Sequence, residues 1–309
     1  MAILPLPELV LPDYNIYQYN PGMYKIIRFN STAPRGHALV VRDKNNPKYS
    51  DKLIQSISRA RRVCLELALC NDWTWFGTLT IAKNNFDRSN LDGWYKKFRE
   101  WLKYQRKKYN KKIPYLLVPE QHGDGSWHMH GFFNSDIDDL LISFRSMDES
   151  GYLSPEGKKL PRNLIDHDYF NWPVYQDRFG FCSFGKIRNK DAAAFYCVKY
   201  ISKSFSGDCG RVGLRLYYPS EGLNRSEQLD SIYGPCTPLD QCLRNHYEWC
   251  STGFVSIDKE PGYDPIGDII EENTSNLYPI QFSQENSSDP DVDDYYFYTQ
   301  LGMEEFCYV

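Results

Sequence analysis

The sequence predicts an α+β fold, with helices packed on a central, mostly antiparallel sheet of about five strands. Two long segments, 50–68 and 91–109, repeat apolar residues at helical spacing. Four shorter runs are rich in β-branched and aromatic residues, which favour strands. From residue 73 onward the order is strand, helix, strand, strand, strand, helix, which is typical of an α+β protein.

Each element has its own signal. The second helix has one apolar face and one strongly basic face. The tripeptide GDG at 123–125 separates two β-like runs and is a hairpin signal. Helices are therefore expected over 50–68, 91–109 and 191–204, and strands over 73–81, 113–120, 127–133 and 182–187.

Composition divides the chain into four parts. Residues 1–48 are interrupted by Pro, Gly and Asn and are predicted to be an irregular N-terminal segment. Residues 49–205 form the main domain, and residues 206–257 are interpreted as its C-terminal extension. Residues 258–309 carry thirteen acidic residues and one basic residue, whereas the other 257 residues carry 35 basic and 27 acidic ones. The formal charge is therefore +8 in the body and −12 in the tail, which we expect to be disordered.

Several classes of protein are excluded. No run approaches the ~20 apolar residues of a membrane-spanning helix, and the N-terminus has no features of a secretory signal. The nine cysteines are scattered and include no CxxC pair, which favours reduced thiols in a cytoplasmic protein. The motifs of a fused helicase and of a dinucleotide enzyme are lacking, so no nucleotide cofactor and no membrane partner are expected.

A histidine cluster is the first candidate for chemistry, because three of the six histidines lie within nine residues. On a strand, His128 and His130 project from the same face and can share a divalent cation with a third ligand. A three-residue hairpin loop would place Glu120 opposite His128, and a two-residue loop would place Gln121 there. His122 is a further candidate, and the sequence leaves this choice open.

A tyrosine helix is the second candidate. Tyr196 and Tyr200 are four residues apart, so they lie on one helix face, and Lys199 and Lys203 follow each at i+3. A tyrosine phenolate can attack a phosphodiester, and a nearby ammonium group can stabilise the developing charge. The alternative interpretation is ordinary amphipathic packing, with the lysines reaching water.

The two candidates together resemble the HUH endonucleases, in which U is a hydrophobic residue, here Met129. The order, a histidine motif followed about 65 residues later by a tyrosine helix, is similar to that of rolling-circle replication initiators of plasmids and single-stranded DNA phages. The run FGTLT over 76–80 looks like the first motif of these initiators. The stretch 49–204 resembles replication proteins of phage-like bacterial mobile elements.

This resemblance implies a fold, an activity and a set of site residues. The fold is the ferredoxin/RRM-like fold of HUH endonucleases, and the activity is the nicking of single-stranded DNA at a replication origin. The nick leaves a 5′-phosphotyrosine link and a free 3′-hydroxyl, which a host polymerase extends with the help of a host helicase. The resemblance assigns Mg²⁺ or Mn²⁺ as cofactor, His128, His130 and Glu120 as metal ligands, and Tyr196, Tyr200, Lys199 and Lys203 as catalytic residues.

Contacts with DNA are expected in two places. The FGTLT strand, with Thr78 and Thr80, would form part of the DNA-binding surface. The basic helix, with Lys96, Lys97 and Lys103, would bind single-stranded DNA by charge and stacking. Two other functions remain open, a single-strand transposase of the same superfamily and a DNA-binding regulator without catalytic activity.

Overall fold

The structure is a computed structural model that describes residues 12–29, 49–83, 86–153, 157, 159–203, 215–246, 250–256 and 278–279. In chain order its elements are β1 (Tyr14–Asn20), β2 (Met23–Phe29), α1 (Tyr49–Leu69), β3 (Trp75–Thr80), α2 (Leu91–Tyr109), β4 (Tyr115–Gln121), β5 (Trp127–Phe133), a 3₁₀ helix (Ser135–Leu140), β6 (Ile142–Ser143), α3 (Phe144–Glu149), α4 (Arg162–Asp166), β7 (Phe170–Asn171), α5 (Pro173–Phe179), β8 (Cys182–Lys186), α6 (Lys190–Lys203), β9 (Tyr218–Pro219), β10 (Glu227–Ile232), α7 (Thr237–Cys242), β11 (Asn245–His246), β12 (Cys250–Ser256) and β13 (Tyr278–Pro279).

The described residues divide into two compact units, one made of residues 50–224 and the other of residues before position 50 and after position 224. The larger unit contains a seven-stranded sheet in the order β6-β7-β8-β3-β5-β4-β9. All its pairings are antiparallel, which confirms the predicted α+β class. The sheet exceeds the predicted five strands because β6, β7 and β9 have two residues each, too few to produce a periodic pattern.

Helix α2 begins and ends where the sequence predicts, because both of its ends are capped. The side chain of Asn90 accepts a hydrogen bond from the backbone N–H of Gly93 at 2.9 Å. At the other end Asn110 adopts the left-handed conformation, and its N–H donates to the carbonyl of Arg106. Between these caps, an aromatic side of the helix is buried against the sheet.

The two faces of this sheet are covered differently. Side chains alternate between faces along a strand, so Leu79, Met129 and Leu117 share one face. They belong to one core with Trp94 and Phe98 of α2. Helix α6 packs on β4 and β5, and its Tyr196 contacts the opposite face, as described below.

The smaller unit corrects the predicted roles of the two flanking segments. Residues 14–29, expected to be irregular, form the hairpin β1–β2. Strand β1 pairs with β10 and β2 pairs with β12, in a six-stranded sheet that also contains β11 and β13. Residues 227–256, interpreted as an extension of the main domain, therefore complete a unit with the N-terminal hairpin. These pairings join residues more than 200 positions apart, which no local pattern reveals.

Two further predictions concern the whole chain. No helix in the described part combines the length and apolarity needed to cross a bilayer. The cysteines among the described residues form no disulfide, in agreement with their scattered spacing. Apart from β13, the acidic tail 258–309 lies outside the described residues.

Candidate active site

The β4–β5 hairpin sets the register of the histidine motif. The N–H of His122 donates to the carbonyl of Ser126 at 2.9 Å, and the N–H of Gly125 donates to the carbonyl of His122 at 2.9 Å. Gly125 has a φ of 80°, the left-handed conformation that three-residue hairpin loops require. The loop is therefore 123–125, and Glu120 pairs with His128. Of the two registers that the sequence left open, the structure has the one that places Glu120, and not Gln121, opposite His128.

Strand β3 lies on the other side of β5 and extends the same polar row. Thr80 pairs with His128, and Thr78 pairs with His130. Because paired residues on neighbouring strands point to the same face, Thr78, Thr80, Glu120, His128 and His130 share one face of the sheet. The structure thus brings together the residues predicted as metal ligands and the two threonines predicted to contact DNA.

His130 is held from both sides. Its Nε2 lies 2.7 Å from Oε2 of Glu120, and its Nδ1 lies 3.2 Å from the hydroxyl of Thr78. An ionised carboxylate only accepts, so Nε2–H donates to Glu120 and the Thr78 hydroxyl donates to Nδ1. The side chains of His130 and Glu120 are only 8% and 11% exposed. These mutual hydrogen bonds satisfy three polar groups that would otherwise be costly to bury.

His128 lies beside this pair and is held neutral. Burial, and after it the positive charges of His122, His130 and Arg88, lower its pKa from the ordinary value of 6.5 to about 4, against the opposing effect of Glu120. The rings of His122 and His128 are 4.0 Å apart between centroids. At neutral pH the imidazole of His128 therefore has a lone pair available for a metal ion or a hydrogen-bond donor.

The donor types fit a divalent cation, since imidazoles and a carboxylate are common ligands of such ions. Their arrangement is that of a hydrogen-bonded pair, because Glu120 and His130 bind each other. Across the described ranges, no three His, Cys, Asp or Glu side chains are grouped as a metal-binding site.

Helix α6 brings Tyr196 to the same face of the sheet. The rings of Tyr196 and Phe76 meet edge to face, with centroids 5.8 Å apart. Phe76 is two residues before Thr78 on β3, so it points to the face that carries the histidines. The Nζ atom of Lys199 lies 5.8 Å from the centroid of the Tyr196 ring, and Tyr196 is 7% exposed. The side chains of Tyr200 and Lys203 lie outside the described residues.

The lysines predicted to bind DNA lie elsewhere. Lys96, Lys97 and Lys103 are exposed on α2. This helix packs on the face that carries Leu79 and Met129, opposite to the polar row. The structure therefore does not bring these lysines together with the histidines.

Sequence reasoning did not single out Arg88, which lies beside the histidine hairpin. Its carbonyl accepts a hydrogen bond from the N–H of Trp127 at 3.1 Å, and its Nη2 donates to the hydroxyl of Ser126 at 2.9 Å. These contacts join residues almost forty positions apart. No local motif marks Arg88, so only the fold reveals it.

One comparison with known proteins identifies the part of the chain that holds this site. No curated protein and no solved structure matches the chain significantly. A family model does match: residues 74–205 fit a family of replication-associated proteins of the ORF2 type. The matched segment contains β3, the β4–β5 hairpin and α6, and therefore Thr78, Glu120, His130 and Tyr196. The chain thus carries a domain of this replication-associated protein family.

Proposed function

We propose that this protein initiates rolling-circle replication by nicking and rejoining single-stranded DNA, with Tyr196 as nucleophile. The observation that carries the proposal is the shared face of the sheet. The hydrogen-bonded pair Glu120–His130, the neutral His128 and the Tyr196–Lys199 pair all lie on it. The family match supports a role in replication.

The chemistry is a transesterification. The phenol oxygen of Tyr196 forms a bond to the scissile phosphorus and gives up its proton, while the bond from phosphorus to the 3′ oxygen breaks. The leaving 3′ oxygen takes up a proton and becomes a free hydroxyl, and the 5′ phosphate remains attached to the tyrosine. Attack by a 3′-hydroxyl reverses these changes, rejoins the strand and restores the phenol. Lys199, beside the Tyr196 ring, would stabilise the phenolate by its positive charge.

Glu120, His128 and His130 would hold the divalent cation, Mg²⁺ or Mn²⁺. When bound, the cation supplies positive charge that polarises the scissile phosphate. The chain's own contribution is to orient these donors: Thr78 fixes the ring of His130, and burial keeps His128 unprotonated. Host enzymes would unwind the origin and extend the 3′-hydroxyl.

A covalent-adduct assay tests the proposal. Purified full-length protein is incubated with Mn²⁺ and labelled single-stranded oligonucleotides that tile the DNA around its own gene, and the products are separated on a denaturing gel. We expect one tile to give a slowly migrating labelled band that EDTA abolishes. Tyr196→Phe should abolish the band, or reduce it if Tyr200 also serves as a nucleophile, in which case the double variant with Tyr200→Phe abolishes it.

Tyr104→Phe is the matched control, because Tyr104 is 63% exposed on α2 and should leave the adduct unchanged. A band that persists in the double variant would overturn the assignment of the nucleophile. If single-stranded DNA binds but no tile gives a band, the protein is a DNA-binding regulator and not a nicking enzyme.

A further inference from the structure

A second feature of the active-site region is a preformed cation at the tip of the histidine hairpin. The guanidinium of Arg88 donates from Nη2 to the hydroxyl of Ser126, and this hydroxyl donates in turn to Oδ1 of Asp124. The backbone N–H of Ser126 also donates to Oδ1 of Asp124, at 3.0 Å. We call these three residues, Arg88, Ser126 and Asp124, the arginine relay.

The backbone that carries Arg88 is fixed as firmly as its side chain. The N–H of Asn90 donates to the carbonyl of Asp87 at 3.1 Å, which closes a turn with Arg88 at its second position. The side chain of Asp87 accepts from both the N–H and the hydroxyl of Ser89. Together with the bond from Trp127 to its carbonyl, these contacts place Arg88 beside β5 without any need for rearrangement.

The guanidinium keeps unused donors. Within the described residues its Nε is buried and has no hydrogen-bond partner. Its Nη1 is 3.9 Å from Oδ2 of Asp124, beyond hydrogen-bonding distance, and the Arg88 side chain remains 28% exposed. A planar guanidinium with free donors on one edge matches the oxygens of a phosphate group. Because Trp127, its backbone partner, directly precedes His128, those donors lie next to the polar row.

We propose that Arg88 binds a backbone phosphate of the DNA strand adjacent to the scissile phosphate, and that Ser126 and Asp124 position its guanidinium. This inference rests on the proposed function, since it assumes that a single DNA strand crosses the face that carries Glu120, His128 and His130. Arg88 aligns that strand for attack by Tyr196. Its contact adds to the affinity for DNA without reading the base sequence.

The salt dependence of DNA binding tests the contact directly. Affinities of the full-length wild type, Arg88→Ala and Arg88→Lys for a fluorescein-labelled single-stranded oligonucleotide are measured over a series of salt concentrations. Loss of one phosphate contact lowers the slope of log affinity against log salt by about 0.7 for a single strand. We expect Arg88→Ala to show this decrease, with about tenfold weaker binding. Arg88→Lys should keep the slope, because it keeps the charge.

Two further variants separate the contact from general effects. Arg145→Ala is the matched control, because Arg145 on α3 pairs with Asp168 and lies outside the relay. Ser126→Ala removes the acceptor of Arg88 but no charge, so binding should weaken with the slope unchanged. Thermal unfolding of each variant checks that the fold is intact. If Arg88→Ala is unfolded, Arg88→Lys and Ser126→Ala decide: binding as in the wild type in both would overturn the proposal.

The adduct assay distinguishes failure of this inference from failure of the proposed function. If the wild type forms the adduct but Arg88→Ala binds with an unchanged slope, the phosphate contact is wrong and the nicking function stands. If the slope falls but no adduct forms with any tile, Arg88 binds phosphate in a protein that does not nick DNA. Equal decreases in slope for Arg88→Ala and Arg145→Ala would overturn the site, because they would reflect net charge alone.

Discussion

The two faces of the seven-stranded sheet use the same strands for different purposes. On one face, Met129 and Leu79 belong to an aromatic core in which Trp94, Phe98 and Trp172 are almost completely buried. On the other face, the residues one position along the same strands carry carboxylate, imidazole and hydroxyl groups. The first face contributes apolar burial, and the second contributes chemistry.

This difference shows how a reactive face can be kept polar in a stable domain. Buried polar groups destabilise a fold unless they are hydrogen-bonded. Glu120, His130 and Thr78 satisfy one another, and the apolar face compensates for the remaining cost of burying them. Changes on the aromatic face should therefore affect stability, and changes on the polar face should affect activity. Four predictions test this division, from the largest expected effect to the smallest.

Gly131→Ala should have the largest effect, because it disrupts the strand that both faces share. A Cβ atom at this position would lie 1.9 Å from the carbonyl oxygen of Leu116, so β4 and β5 would have to separate. We expect the free energy of unfolding to fall by about 4 kcal/mol or more, and the adduct to be lost. Chemical denaturation measures the change. Gly123→Ala is the control, since a Cβ there meets nothing within 4 Å; equal stability of the two variants would contradict the register.

Phe98→Ala should destabilise the aromatic face alone. The ring is completely buried and contacts Trp94, Trp101 and Tyr115. Truncation of such a ring lowers the free energy of unfolding by about 3–5 kcal/mol. At a temperature where the variant remains folded, the rate of adduct formation should match the wild type. Tyr104→Ala on the same helix should change stability by less than about 0.5 kcal/mol. A large loss of adduct in folded Phe98→Ala would show that the faces are coupled.

His128 should make the stability of the polar face depend on pH. Its pKa is lowered from 6.5 to about 4 in the folded protein, so between these values the unfolded chain binds more protons. The free energy of unfolding therefore falls as the pH is lowered through this window. Thermal unfolding of His128→Gln should show a shallower decline than the wild type over the same range.

The same substitution at the exposed His167 is the control for the pH experiment. If His128→Gln and His167→Gln decline equally with the wild type, burial of a neutral His128 is not a source of the pH dependence.

Charge reversal on α2 should have the smallest effect on chemistry. Lys96, Lys97 and Lys103 lie on the helix that covers the aromatic face, away from the polar row. The triple change to Glu should weaken binding of single-stranded DNA and lower its salt slope by about 2, if each lysine contacts one phosphate. At saturating DNA the rate of adduct formation should be unchanged. An unaltered affinity would show that these lysines are merely solvated, and a lower rate at saturation would contradict their separation from the site.

Much of the larger unit could be predicted because its signals are local. The helical period and capping residues determine α2, and β5 has the predicted bounds Trp127–Phe133. The alternation of side chains along a strand is sufficient to place His128 and His130 on one face. The pairing of Tyr196 with Lys199 follows in the same way from helix geometry, and both residues meet in the structure.

The amino-acid sequence by itself thus determined the elements, the histidine motif and the tyrosine helix, because each depends on interactions between residues close in the chain. Only the tertiary structure decided how these parts combine. The hydrogen bonds of the 122–126 turn selected Glu120 as the partner of His128, although the loop could have closed with either parity. The placement of α2 opposite the polar row, the pairing of β1 with β10 and the position of Arg88 all depend on contacts distant in sequence, whose energies no local pattern encodes.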